Sequence, residues 1–275
     1  MKNLHELFSS LDSLNYLFTK IDFVFHTQQF LITALETAQK RSQMIGVLGR
    51  EGMGKSSAIA KYIHEHEKVY YVRIGQSYRV SNFLDEMIFQ VAGAYPQVHD
   101  SLFTKMKLLS SLLTKDTTKK LIIIDDAGKL SPRGLGFFHE LRDNTIYCTG
   151  FVFVGLPYFQ KHLLTAKKHG VTGIAEFYRR TQSWFSVPGL KENEITAYAH
   201  AHKLSEDQIL QLKQTKIETL ADLENNTQKL LLAGELGASV NSSEDEDEEE
   251  MEHDSNKERA ARARKAKATK RVSSV

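Results

Sequence analysis

The chain has 275 residues, 41% hydrophobic and 25% charged, the make-up of one large or two small globular domains with a sizeable core. No apolar run approaches the roughly 20 residues needed to cross a bilayer, and the opening MKNLHELFSSLDSLN lacks the apolar stretch of a secretion signal. The single cysteine, Cys148, can form neither an internal disulfide nor a cysteine zinc site, so a cytoplasmic protein without membrane-spanning helices is expected.

In chain order, residues 1–25 come first. Leu4, Leu7, Phe8, Leu11, Leu14 and Phe18 recur every three to four positions and predict an amphipathic helix that packs on the body or on a neighbouring subunit. Short β-branched runs follow, Met44–Leu48, Val69–Ile74, Leu121–Asp125, Phe151–Gly155 and Ser183–Val187, separated by helix-length amphipathic stretches. Strands spaced in this way pair in parallel through crossover helices, so residues 26–189 are expected to form a three-layer α/β domain. The Pro188-Gly189 pair breaks the chain, and residues 190–238 carry only helical periodicity, as in Ile195, Tyr198, Ala199 and His202, which reads as a small helical lid. In residues 239–275, nine of the eleven positions from Glu244 to Asp254 are acidic and eight of the fifteen from Lys257 to Arg271 are basic. Almost nothing there buries apolar area, so a disordered charged tail is expected. Without that tail the net charge moves from +2 to +4, too mild to establish nucleic-acid binding by itself.

The decisive segment is Gly49-Arg50-Glu51-Gly52-Met53-Gly54-Lys55-Ser56, followed by Ser57, which satisfies the phosphate-loop pattern G-x-x-x-x-G-K-[ST]. The apolar strand Met44–Leu48 precedes it and the helix-compatible run SSAIAKYIHEH follows, so the loop would present backbone N–H groups and a positive helix end to phosphate oxygens. Gly49, Gly52 and Gly54 permit close backbone approach, Lys55 would reach the β- and γ-phosphates of ATP, and Ser56 would place its hydroxyl on Mg²⁺. Seventy residues beyond Lys55, the run Leu121-Ile-Ile-Ile-Asp125-Asp126 delivers two carboxylates to a strand end. Such a pair can be a solvated terminus. Beside a phosphate loop, Asp125 would hold the magnesium through water and Asp126 would polarise the attacking water, the pattern of an ATPase. Aspartate at 126 is one methylene shorter than glutamate, which points to slow hydrolysis.

These segments resemble the AAA+ ATPases of DNA transposition, the group of the phage Mu B protein, TniB, TnsC and IstB. The likeness runs over about residues 22–235, most plainly in FVFHTQQFLITALETAQKRSQMIGVLGREGMGKSSAIAKY, LIIIDDAGKLS, FVFVGLPYFQKHL and EFYRRTQSWFSVPGLKENEI. It implies an AAA+ P-loop NTPase core over residues 26–189, an adenine-facing entry segment at Phe23–Phe30, and a sensor position at the end of Phe151–Gly155. It further implies that Arg179 or Arg180 acts as an arginine finger on the ATP of the next subunit; read alone, the two could equally be surface arginines. The sequence departs from the family in two places. Gly155-Leu156-Pro157 offers no side-chain donor, and Leu223–Leu230 lacks the arginine the family carries at its lid.

For DNA, the stretch Ile74–Ser81 offers Tyr78, Arg79 and hydroxyls, and Lys129 and Arg133 follow the acidic pair; the same cations could be ordinary solvated ones. No base-reading motif is present, so contact with duplex DNA is expected to be independent of sequence. The resemblance implies an ATP-dependent assembly of many copies, as a ring or helical filament on DNA, that recruits or activates a transposase. Two other readings stand beside it, a helicase loader similar to DnaC and an ATP switch that acts on a protein without DNA.

Overall fold

In the computed structural model the described residues are 24–97 and 99–234. The expected amphipathic helix over residues 1–25, save Val24 and Phe25, and the expected tail over 239–275 lie outside them.

Five strands, β1 (Met44–Leu48), β2 (Val69–Arg73), β3 (Lys120–Asp125), β4 (Thr149–Gly155) and β5 (Ser183–Ser186), form one sheet in the order β2-β3-β4-β1-β5, every pair parallel. Every residue of the three inner strands is buried, which is why they read as unbroken apolar runs, whereas the edge strands β2 and β5 are half-exposed. The sequence placed all five within two residues of their observed ends. Ladder bonds carry on past the ends of the edge strands, from Ile74 N–H to Asp125 O and from Val187 N–H to Leu48 O.

Alternation along each inner strand sorts the two faces. Met44 and Leu48, Ile122 and Ile124, and Phe151 and Phe153 enter one core with α3 (Val80–Ala92), α4 (Leu102–Leu113), α5 (Pro132–Asn144), α6 (Tyr158–Lys168) and α7 (Ile174–Arg180). Ile45 and Val47, Leu121 and Ile123, and Val152 and Val154 face α1 (His26–Arg41) and α2 (Lys55–Glu65). By the same parity Asp125, next in the Leu121–Ile123 series, faces the layer that holds the start of α2. The helices begin where local chemistry dictates. Ser131 accepts from Gly134 N–H ahead of Pro132 at the first position of α5, and Ser101 caps α4 through Thr104 N–H.

Beyond Pro188-Gly189, α8 (Glu192–Ala201), α9 (Glu206–Gln214) and α10, residues 220–234, build a separate small core from Ala199, Leu204, Ile209, Leu212, Leu220 and Leu223. Phe25, at the entry to α1, inserts into it and meets the ring of Tyr198 at 5.3 Å. Among the described residues no helix is long and apolar enough to cross a membrane.

Two inner-strand glycines admit close neighbours, one from the helix layer and one from the adjacent strand. A Cβ on Gly150 would overlap the carbonyl of Ala38 in α1, and one on Gly46 would overlap the ring of Trp184. Gly46→Ala is therefore expected to destabilise the fold by ~1–3 kcal/mol through overpacking. Denaturant unfolding followed through the fluorescence of Trp184, the chain's one tryptophan, measures this. An unchanged midpoint would show that the sheet yields without cost.

Candidate functional site

The loop Gly49–Gly54 leaves the end of β1 with Gly49 N–H bonded to Gly155 O at 3.0 Å, which ties it to the end of β4. Gly52 and Gly54 have φ of 72° and 71°, the left-handed region that side-chain-bearing residues enter only with strain. Gly54 is the N-cap of α2 and brings no side chain to it, so the first-turn N–H groups of that helix lack the usual capping acceptor. These unclaimed donors, at the positive end of a helix, suit an anion. Lys55 Nζ donates to the carbonyls of Gly49 at 2.9 Å and Arg50 at 2.6 Å. Burial lowers the Lys55 pKa, and the charges of Asp125, Asp126 and Glu51 oppose that shift. Ser56 is exposed as the second residue of α2, Ser57 is half-buried behind it, and Met53 is buried beneath the loop.

β4 separates β1 from β3, so at a strand spacing of about 4.8 Å the phosphate loop and the two aspartates stand about 10 Å apart. Gly155-Leu156-Pro157 lies between them and supplies no side-chain donor. Asp125 is 4% exposed. Its Oδ1 accepts from Asp126 N–H at 2.9 Å and its Oδ2 from the Tyr71 hydroxyl at 3.1 Å. Burial raises the Asp125 pKa, with the charge of Asp126 adding to it and the hydrogen bonds opposing it. The Tyr71 hydroxyl is pushed far up by burial and by the Asp125 charge, so it remains a donor.

Asp126 takes a left-handed conformation, φ 55°, and opens a 3₁₀ turn over Ala127–Lys129. Its Oδ2 accepts from Arg73 Nε at 3.1 Å and Lys129 Nζ at 2.8 Å. Burial pushes its pKa up, but the bonds from Lys129 and Arg73 overcome that and hold it below the ordinary carboxylate range. Asp126, expected to polarise water, is thus gripped by two cations, and Lys129, expected at DNA, has its ammonium on Asp126. Tyr71 and Arg73 are two residues at the acids that the sequence reading missed. Their two-residue spacing in a strand puts them on one side, and only the pairing of β2 with β3 brings them to the acids.

The start of α10 closes over the phosphate loop. Ala221 N–H donates to Gly52 O at 3.1 Å, and Glu218 pairs with Arg50 at 2.9 Å. A Cβ on Gly52 would come within 2.9 Å of Ala221 and Thr219, and one on Gly54 within 2.6 Å of Leu220. These glycines therefore admit the lid as well as whatever the loop holds. The stretch Leu223–Leu230, singled out in the sequence, lies farther along: Leu223 is in the lid core, and the residues on the loop are Glu218–Ala221, none of them an arginine.

Arg180 ends α7 in a two-point ion pair with Asp143, Nε to Oδ1 at 2.7 Å and Nη2 to Oδ2. Arg179 is exposed, with no ion pair to a described residue. Arg79 is exposed at the start of α3, and Arg133 lies in the first turn of α5. Cys148 is buried, its thiol 3.4 Å from the carbonyl of Leu113.

Residues 38–163 match the family described as AAA domain. No curated protein matches the chain. Among solved structures, it is similar to Cdc6p from Pyrobaculum aerophilum, with 19% identity over 68% of this chain and 53% of that one at a TM-score of 0.50. It is also similar to ORC1 of Aeropyrum pernix in complex with DNA, with 12% identity over 78% of this chain and 62% of that one at a TM-score of 0.55. ORC2 of Aeropyrum pernix, solved in ADPNP-ADP complexes, gives 15% identity, the same two coverages and a TM-score of 0.52. The chain thus spans about half to three fifths of the length of these structures. What they share with it is the fold. It is that of the AAA+ P-loop NTPases, as the sequence resemblance implied.

Proposed function

We propose that this chain is an ATPase that binds ATP and Mg²⁺ between the loop Gly49–Ser57, the start of α10 and the end of β3. It uses ATP to assemble with further copies on duplex DNA, where it recruits or activates a transposase. The observation that carries the nucleotide reading is the uncapped start of α2, beyond the C-terminal end of one parallel inner strand, and the aspartate pair, at that of another, with the Lys55 ammonium held, among the described residues, by carbonyls alone.

The donor set fits the metal. Ser56 and Asp125 are hard oxygen ligands, and among the described residues no cluster of three or more His, Cys, Asp or Glu could cage an ion. That suits magnesium, which is held through one or two protein oxygens, substrate phosphates and water. When bound with ATP, it supplies charge neutralisation at the β- and γ-phosphate oxygens. Lys55 exchanges the carbonyls of Gly49 and Arg50 for those phosphates, and Asp125 keeps its two donors, Asp126 N–H and the Tyr71 hydroxyl. Asp126 takes the proton of the attacking water only when Arg73 and Lys129 let it turn. Together with the donor-free Gly155-Leu156-Pro157 stretch, this supports slow turnover. Arg179, exposed and with no ion pair to a described residue, is the better placed of the two arginines to reach the ATP of a neighbouring copy.

The DNA reading rests on Arg79 and the Ile74–Ser81 stretch, which follows β2 directly, and on repetition of weak phosphate contacts over many copies. Arg79→Ala is expected to weaken binding about equally on all sequences and to flatten the salt dependence, as measured by gel shift over a salt series. A loss confined to particular sequences would contradict it. The likeness to Cdc6p and ORC1, the latter solved with DNA, favours a second reading, a replication factor whose cargo is a helicase. The two part on one experiment: a purified transposase stimulated by the ATP-bound, DNA-bound protein supports the first, and stimulated loading of a helicase supports the second.

A further inference from the structure

A carboxylate buried as deeply as Asp125 holds its charge only where donors replace water. One donor, Asp126 N–H, comes with the turn that follows β3. The other, the Tyr71 hydroxyl, arrives from a different strand 54 residues back. Tyr71 sits on β2, an edge strand, where the main-chain groups turned away from β3 have no strand to bond. Gln90 of α3 takes both of them: its Oε1 accepts from Tyr71 N–H at 2.9 Å and its Nε2 donates to Tyr71 O at 2.5 Å. One side-chain amide thus stands in for the missing strand at the residue that reaches Asp125. The other charged groups that bear on Asp125 are Asp126, Arg73 and Lys55, of which Asp126 and Arg73 are engaged with each other.

We propose that Tyr71 is a positioning residue of the nucleotide site, its hydroxyl holding the Asp125 carboxylate in one orientation for the metal that accompanies ATP, with Gln90 fixing Tyr71 at the sheet edge. This rests on the ATP reading above. Tyr71 touches neither ATP nor the metal; it acts through Asp125. Loss of such an outer hydrogen bond weakens metal affinity by about 10–100-fold in well-studied sites.

The test uses the full chain and measures ATP affinity over a magnesium titration and again in EDTA. Tyr71→Phe is expected to raise the magnesium concentration for half-maximal tightening about tenfold, with affinity in EDTA within about twofold of the parent. Gln90→Leu is expected to shift the same midpoint in the same direction, by less. In an Asp125→Asn background Tyr71→Phe is expected to have no further effect, which separates action through the carboxylate from a change in folding. An unchanged magnesium midpoint for Tyr71→Phe overturns the proposal. An equal loss in EDTA, or the same loss in the Asp125→Asn background, overturns it as well. If the parent protein shows no magnesium-dependent ATP binding and Lys55→Ala leaves ATP affinity unchanged, the nucleotide reading itself fails. A sensitive parent with an insensitive Tyr71→Phe variant condemns the inference alone.

Discussion

Lys55→Ala is expected to lower ATP affinity about 100-fold or more, the loss of a charge-assisted contact of ~3 kcal/mol. The fold should survive. Among the described residues the ammonium bonds only to the carbonyls of Gly49 and Arg50, on a loop whose neighbours Arg50 and Glu51 are exposed. Water can reach those carbonyls once the side chain is gone. Calorimetric titration of ATP, alongside a thermal melt, separates binding from stability. Full affinity in the variant would remove the phosphates from this loop.

Asp126→Asn is expected to cut hydrolysis by about 10²–10⁴-fold while ATP binding persists, so that the assembled state accumulates. Asparagine keeps the volume and tolerates the left-handed backbone at φ 55°. Its lost pairs with Arg73 and Lys129 are partly solvent-exposed and contribute at most ~1 kcal/mol each. Mixed with Arg179→Ala protein, it should regain part of the turnover, since some interfaces then join an intact acid to an intact arginine. Arg180→Ala tests the other arginine, but removing it also leaves Asp143 without its partner, so a fall in stability is expected there. Co-assembled mixtures that recover nothing with either arginine variant would refute a residue acting between copies. Undiminished hydrolysis by Asp126→Asn would move the base elsewhere.

The inner strands were legible because a parallel strand covered on both faces must be apolar throughout, and Met44–Leu48, Leu121–Ile124 and Phe151–Val154 are. The pattern of the loop Gly49–Ser56 was legible because its glycines, Lys55 and Ser56 fall within eight consecutive residues. Tyr71 and Arg73 were not, since their meeting with Asp125 and Asp126 depends on β2 lying beside β3, and strand order leaves no trace in local spacing. Glu218 was missed for a similar reason: it stands 168 residues from Arg50, and only the packing of the lid joins them. Lys129 read as a free cation because its pairing with Asp126 requires the left-handed turn at 126, a conformation uncommon for any residue but glycine.

Strand β2 links these observations to the proposed work of the protein. Its end runs into the stretch that carries Arg79, and two of its side chains hold the two acids. Contact with DNA through Arg79 would therefore be made six residues along the chain from Arg73, which holds Asp126.

ATP-driven assembly on DNA is directly visible by electron microscopy of the protein mixed with duplex DNA and ATP. With ATP the DNA should carry regular multi-subunit rings or helical filaments, present also with Asp126→Asn and absent with Lys55→Ala. Bare DNA beside unassembled protein, or assemblies that form equally well without nucleotide, would contradict it.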